Sequence, residues 1–141
     1  MIELTHEVIN SIKDKTGFTY LATPYTLYHR GISAANLMAC KAAAYLINKG
    51  LNIYCPIAHS HAIAQYGDLD PLNAEFWLAL DVKFLSVANG LIVLKAPGWD
   101  TSYGVSVEIE NITAQNKPVY SMGWDDRCFA VQLEEPSSCV N

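Results

Sequence analysis

Short apolar runs alternate with helix-like stretches along this chain, and that alternation restricts the fold more than any other feature. Phe18 to Ala22, Leu51 to Cys55, Leu91 to Lys95 and Pro118 to Met122 each read as a buried strand, and Cys128 to Leu133 adds a weaker fifth. Glu3 to Lys15 carries Leu4, Val8 and Ile12 on one helical face and closes at Gly17. Ile32 to Lys49 is alanine-rich and stops at Gly50, and further helices are expected over about Ala74 to Val87 and over Ser102 to Gln115. Strands joined through helices of this length form βαβ units with right-handed crossovers, which makes the sheet mostly parallel.

The expected class is therefore α/β: a doubly wound parallel sheet of four to five strands, flavodoxin-like or Rossmann-like, in the order 2-1-3-4-5. With 141 residues and 51% hydrophobic content, residues 1–141 suit one domain. Its N-terminal helix would lie within residues 1–17, and an irregular tail or edge strand within 123–141. In that strand order the switch point falls between the first and third strands, so the loops after Ala22 and Lys95 face one crevice. A loop bearing His59, Ser60 and His61 follows Pro56 and runs to the turn signals at Gly67 and Asp70-Pro71.

Composition removes several function classes. The formal charge is −5, with 14 acidic and 9 basic residues spread along the chain, so no basic stripe marks a polymeric nucleic-acid partner. No apolar run approaches the roughly 20 residues of a membrane span. Glu3, His6 and Glu7 occupy the place of a signal peptide's basic and apolar regions, and a cytoplasmic location is expected. Cys40, Cys55, Cys128 and Cys139 form no C-x-x-C pair and are expected to be reduced thiols. Neither a P-loop nor G-x-G-x-x-G is present, and no cofactor is expected.

Chemistry concentrates between Gly98 and Glu108. Ser102 and Gly104 open a helix whose first N–H groups lack intrahelical partners and attract anions, although Ser102 can also simply cap that helix. Trp99 and Asp100 stand just before it. Glu108 lies among Val105, Val107 and Ile109, where a carboxylate is costly unless it faces a cavity or a partner. The nearby helix N-terminus is expected to favour its ionised form, as a nucleophile requires, whereas Glu110 projects elsewhere, to solvent. Asp81 sits in the equally apolar stretch Phe76 to Val82, so the same cost applies. His59 and His61 suit a metal pair, a base contact or a polar loop, and metal is the weakest of these because no third ligand falls at an expected spacing. Tyr25, Tyr28, His29 and Arg30 offer stacking surfaces and a phosphate partner, although Arg30 also fits a surface charge at a helix start.

Tyr20 to Tyr25, Asp81 followed by Ala88-Asn89 and a strand, Ser102-x-Gly104-x-x-x-Glu108 and Lys117-Pro118-Val119 together resemble the nucleoside 2-deoxyribosyltransferase superfamily over most of residues 18–122. The chain looks closest to a little-characterised bacterial and phage branch with Pro56-Ile-x-His59-Ser60-His61 and Gly98-Trp99-x-x-Ser102-x-Gly104-Val105-x-x-Glu108.

The resemblance implies that Glu108 attacks the anomeric carbon, that Asp81 positions or protonates at the base and sugar, and that Tyr25 lies close to the nucleophile. Transferases acting on free nucleosides usually carry an acidic residue at position 102, and the similar deoxynucleoside 5′-monophosphate N-glycosidases carry a phosphate-binding serine. Ser102 thus implies hydrolysis of a nucleotide, with Gly104, Arg30, His59, His61, Trp99 and Asp100 as further substrate contacts. The departing base would take its proton from Asp81 or from His59 or His61. A transferase exchanging bases and a non-catalytic nucleotide sensor are the alternatives. Homodimers or larger homo-oligomers are common in that superfamily, and Ile32 to Lys49 and the Trp77 helix offer contact surfaces.

Overall fold

Every side chain of Leu91 to Leu94 is buried in the computed structural model, which describes residues 1–133. That pattern marks a central strand covered on both faces. Eleven elements follow in order: β1 (Ile2–Glu3), α1 (His6–Ile12), β2 (Thr19–Ala22), α2 (Ile32–Asn48), β3 (Ile53–Tyr54), α3 (Pro56–Tyr66), α4 (Ala74–Leu85), β4 (Leu91–Lys95), α5 (Tyr103–Ala114), β5 (Val119–Asp125) and β6 (Ala130–Gln132). The strands form one sheet in the order β1-β5-β4-β2-β3, parallel throughout, with β6 antiparallel on β5. The protein is an α/β domain with a doubly wound sheet.

Successive strand residues face opposite sides of the sheet and build two cores. Leu21, Ile92, Leu94, Tyr120 and Met122 pack beneath α1 and α2, where Ala35, Ala39 and Ala42 let the helix approach closely. On the other face Tyr20, Ala22, Leu91 and Val93 meet Leu85 of α4 and Val105 and Ile112 of α5. Truncating a fully buried aliphatic side chain in such a core costs about 2–5 kcal/mol.

The central order β3-β2-β4-β5 agrees with the 2-1-3-4 part of the expected order, and the differences lie at the edge. Ile2 and Glu3 pair in parallel with Tyr120 and Ser121, so the N-terminus begins with a strand that the sequence did not suggest. Thr5 then caps α1, its Oγ1 accepting the Val8 N–H at 3.1 Å, which shortens the helix expected from Glu3. The expected fifth strand is the antiparallel β6 and shares the β5 edge with β1. Residues 123–132, expected as an irregular tail or edge strand, are the end of β5, a tight turn and β6; Glu134 to Cys139 lie outside the described residues.

The largest correction is α3. His59, Ser60 and His61 stand on a helix, because Pro56 occupies its first position, where the missing N–H costs nothing and the fixed φ suits helix entry. Cys40 and Cys55 are free thiols as expected, whereas Cys128 is disulfide-bonded rather than reduced. Among the described residues no helix is long and apolar enough to cross a membrane.

Candidate functional site

A cavity of about 320 Å³ opens above the carboxyl ends of the parallel strands, the position in which open α/β sheets hold ligands. It is lined by the loop after β2, the start of α3, the inner face of α4 and the N-terminal turns of α5. Apolar walls from Ile57, Trp77, Leu78 and Val105 surround a polar floor containing Thr23, Ser60, Asp81 and Glu108. Among the described residues that line it there is no Lys or Arg, and His61 is the one able to carry positive charge.

Glu108 shares the buried stripe of α5 with Val105 and Ile112 and is 5% exposed; Asp81, on α4, is 6% exposed. Burial pushes the Glu108 carboxyl up to about 8; the Tyr20 hydroxyl pulls it back down, and the Asp81 charge adds to the rise. Burial likewise raises Asp81 to about 7. The expectation that the helix N-terminus holds Glu108 ionised is therefore not met. Glu108 lies in the second turn, beyond the reach of the terminal N–H groups, and the loss of water outweighs the dipole.

Tyr20, on β2, stands behind this floor next to Glu108 and outside the cavity lining. Its hydroxyl lies against Glu108 without closing a well-formed hydrogen bond, and burial keeps it protonated. Thr23 Oγ1, Ser60 Oγ and Asp81 Oδ1 are also buried without a hydrogen-bond partner. The Cys55 thiol stands beside Thr23 and is itself pushed up to about 12 by burial. Each orphaned polar atom costs roughly 1–3 kcal/mol. Three of them belong to residues of one cavity wall, and Tyr20 stands behind it, so the unusual polar burial is concentrated at this site.

Residues 17–124 match a family model described as a domain of unknown function, DUF1937. The chain belongs to the DUF1937 family. A search among curated proteins returns no match. The matched segment contains the whole cavity wall, so the site belongs to the DUF1937 unit itself.

Within this DUF1937 domain the structure brings together Glu108, Asp81, Tyr25, Ser102, Gly104 and His61. Ser102 caps α5, accepting the Val105 N–H at 3.2 Å, while its side chain also borders the cavity. A Cβ on Gly104 would meet nothing closer than Ser102 Oγ at 3.9 Å, so packing does not demand glycine there; it leaves the backbone uncovered. The Tyr25 hydroxyl and His61 Nδ1 are 2.6 Å apart, with the rings edge to face.

Four anticipated contacts lie elsewhere. Arg30 bonds Asp126, to its backbone oxygen at 2.9 Å and its Oδ2 at 3.3 Å. His59 turns to the opposite side of α3, against Tyr54 and Phe84. Trp99 packs on the α4–α5 core beneath Lys95. Asp100 is exposed outside the wall, and Glu110 is solvated as expected. No cluster of three or more metal-ligating side chains occurs among the described residues.

Sequence reasoning passed over Tyr20, Thr23 and Ser60 as site residues. Tyr20 and Thr23 lie in or beside a strand, and their hydroxyls stand out only once their missing partners are known.

Proposed function

We propose that this DUF1937 protein cleaves the N-glycosidic bond of a nucleoside 5′-monophosphate through Glu108. The carrying observation is the pair of buried carboxyl groups, Glu108 and Asp81, in the lining of one cavity. Two carboxyls acting as nucleophile and acid/base are the machinery of retaining glycoside cleavage.

The pair reacts in the form in which its one proton sits on Asp81: the Glu108 carboxylate attacks the anomeric carbon while the C–N bond breaks, and that electron pair leaves with the base nitrogen. Asp81 delivers the proton the departing base requires. As the ester forms, Glu108 loses its charge and Asp81 gains one, so the floor carries a single negative charge throughout and never two. In the second half Asp81 takes a proton from water, whose oxygen attacks the same carbon and releases Glu108. The Tyr20 hydroxyl beside the carboxylate favours the ionised nucleophile.

The 5′-phosphate is assigned to the N-terminus of α5, where Ser102 and the bare backbone at Gly104 provide donors without a side-chain cation. Glu108→Gln should abolish release of free base from deoxynucleoside monophosphates, measured by chromatography; full activity in that variant would overturn the assignment. The absence of Lys and Arg from the cavity favours a second reading, base exchange on uncharged nucleosides. Supplying a donor with and without its 5′-phosphate, together with a different free base, separates the two by product. Binding without turnover of any donor would favour a nucleotide sensor.

A further inference from the structure

We infer that His61, oriented by Tyr25, is the hydrogen-bond donor that reads the leaving base and selects a keto over an amino substituent. The inference rests on the proposed nucleotide chemistry and concerns which bases that site accepts.

Geometry fixes which His61 nitrogen carries hydrogen towards the ligand. Nδ1 is 2.6 Å from the Tyr25 oxygen. Burial raises the Tyr25 hydroxyl above its ordinary range, so the phenol keeps its proton. When the imidazole is neutral, the phenol donates to Nδ1 and the ring hydrogen resides on Nε2. When it is cationic, both nitrogens bear hydrogen. The remaining arrangement, a neutral ring with Nδ1–H donating to Tyr25, leaves the phenolic proton without an acceptor among the described residues and gains no positive charge in return. In both favoured arrangements Nε2 is a donor; among the described residues it has no hydrogen-bond partner, and it is not sealed off.

Topology decides which part of a nucleotide meets it. α5 follows β4 and α3 follows β3, and β2 stands between those strands. The α5 N-terminus and the start of α3 are thus two strand spacings apart, roughly 10 Å, a span that a nucleotide bridges from phosphate to base. With the phosphate on α5 and the anomeric carbon over Glu108, the base falls between the apolar walls of Ile57 and Trp77, beside His61 and Ser60. Ser60 Oγ is covered and leaves the reading of the base edge to His61. His61 does not adapt: its N–H gains a bond with a keto oxygen and opposes an amino group, donor against donor.

The test is calorimetric binding to the Glu108→Gln protein of two pairs of deoxynucleoside monophosphates, inosine against adenosine and uridine against cytidine. At least one pair should bind roughly ten- to a hundredfold more tightly in the keto form. A His61→Gln substitution in the same protein should bring that ratio near one, because an amide presents either a donor or an acceptor. Tyr25→Phe should narrow it, since Nδ1 is then free to take the hydrogen. No keto preference in either pair, or a preference that survives His61→Gln, would overturn the inference. Keto preference in binding without base release by the wild type would uphold the His61 assignment and sink the Glu108 chemistry. Failure of all four nucleotides to bind would sink both.

Discussion

A carboxyl group deprived of water keeps its proton, and this holds at two neighbouring residues of one cavity. Glu108 moves from 4.5 to about 8 and Asp81 from 3.8 to about 7 on folding, by burial in both cases. Folded protein therefore binds more protons than the unfolded chain between about pH 4 and pH 8, and stability must fall as pH rises through that window. Thermal denaturation should show the melting temperature declining from pH 5 to pH 8, with Glu108→Gln and Asp81→Asn each flattening the decline. A melting temperature that rises over this range, or identical slopes in the variants, would contradict the burial. Both carboxyls were legible in the sequence because each interrupts an apolar helical stretch. Tyr20, Thr23 and Ser60 were not, since a hydroxyl is unremarkable until its surroundings fail to supply a partner.

Individual elements carry the site in ways that can be separated by substitution. Ser102 both ends the backbone's need for a cap at α5 and borders the cavity. Aspartate caps as well as serine does, so Ser102→Asp should leave the melting temperature nearly unchanged. The new charge should raise KM for a nucleoside monophosphate about tenfold or more and leave an uncharged nucleoside unaffected. Equal losses on both substrates would remove Ser102 from phosphate binding.

The loop after β2 is held differently. Tyr28 Oη donates to Asp126 Oδ1 at 2.6 Å, Trp124 Nε1 donates to the same oxygen at 3.1 Å, and His29 Nε2 lies 3.2 Å from Oδ2. Asp126→Ala should cost about 1–3 kcal/mol in denaturant unfolding and make the segment carrying Tyr25 more susceptible to proteolysis. An unchanged cleavage rate would show that the loop is fixed by other contacts. Nothing about Asp126 stood out in the sequence, because its partners in the loop after β2 lie 96 to 98 residues away along the chain. The mistake over α3 was of another kind: proline ends a strand and begins a helix with equal ease, and Pro56 does both at once.

At the scale of the whole molecule, charge opposes the proposed ligand. The protein carries −5 at pH 7, and a nucleotide approaches it as a dianion. Raising ionic strength from about 0.01 to 0.15 M shortens the screening length from roughly 30 to 8 Å. KM for a nucleotide should therefore decrease over that range in steady-state assays, while that for a nucleoside stays level; a steep increase for the nucleotide would indicate an attractive field instead. The fold class and central strand order were legible because strand and helix periodicities differ along the chain. The edge was not, as two residues at β1 are too few to show any period.

That edge has a consequence for self-association. One border of the sheet is the two-residue β3, and at the other β5 is covered partly by Ile2 and Glu3 and partly by an antiparallel return strand. Among the described residues neither border offers a long row of unpaired amides to a second chain. Strand addition along these borders is thereby denied a long template for fibril-like growth.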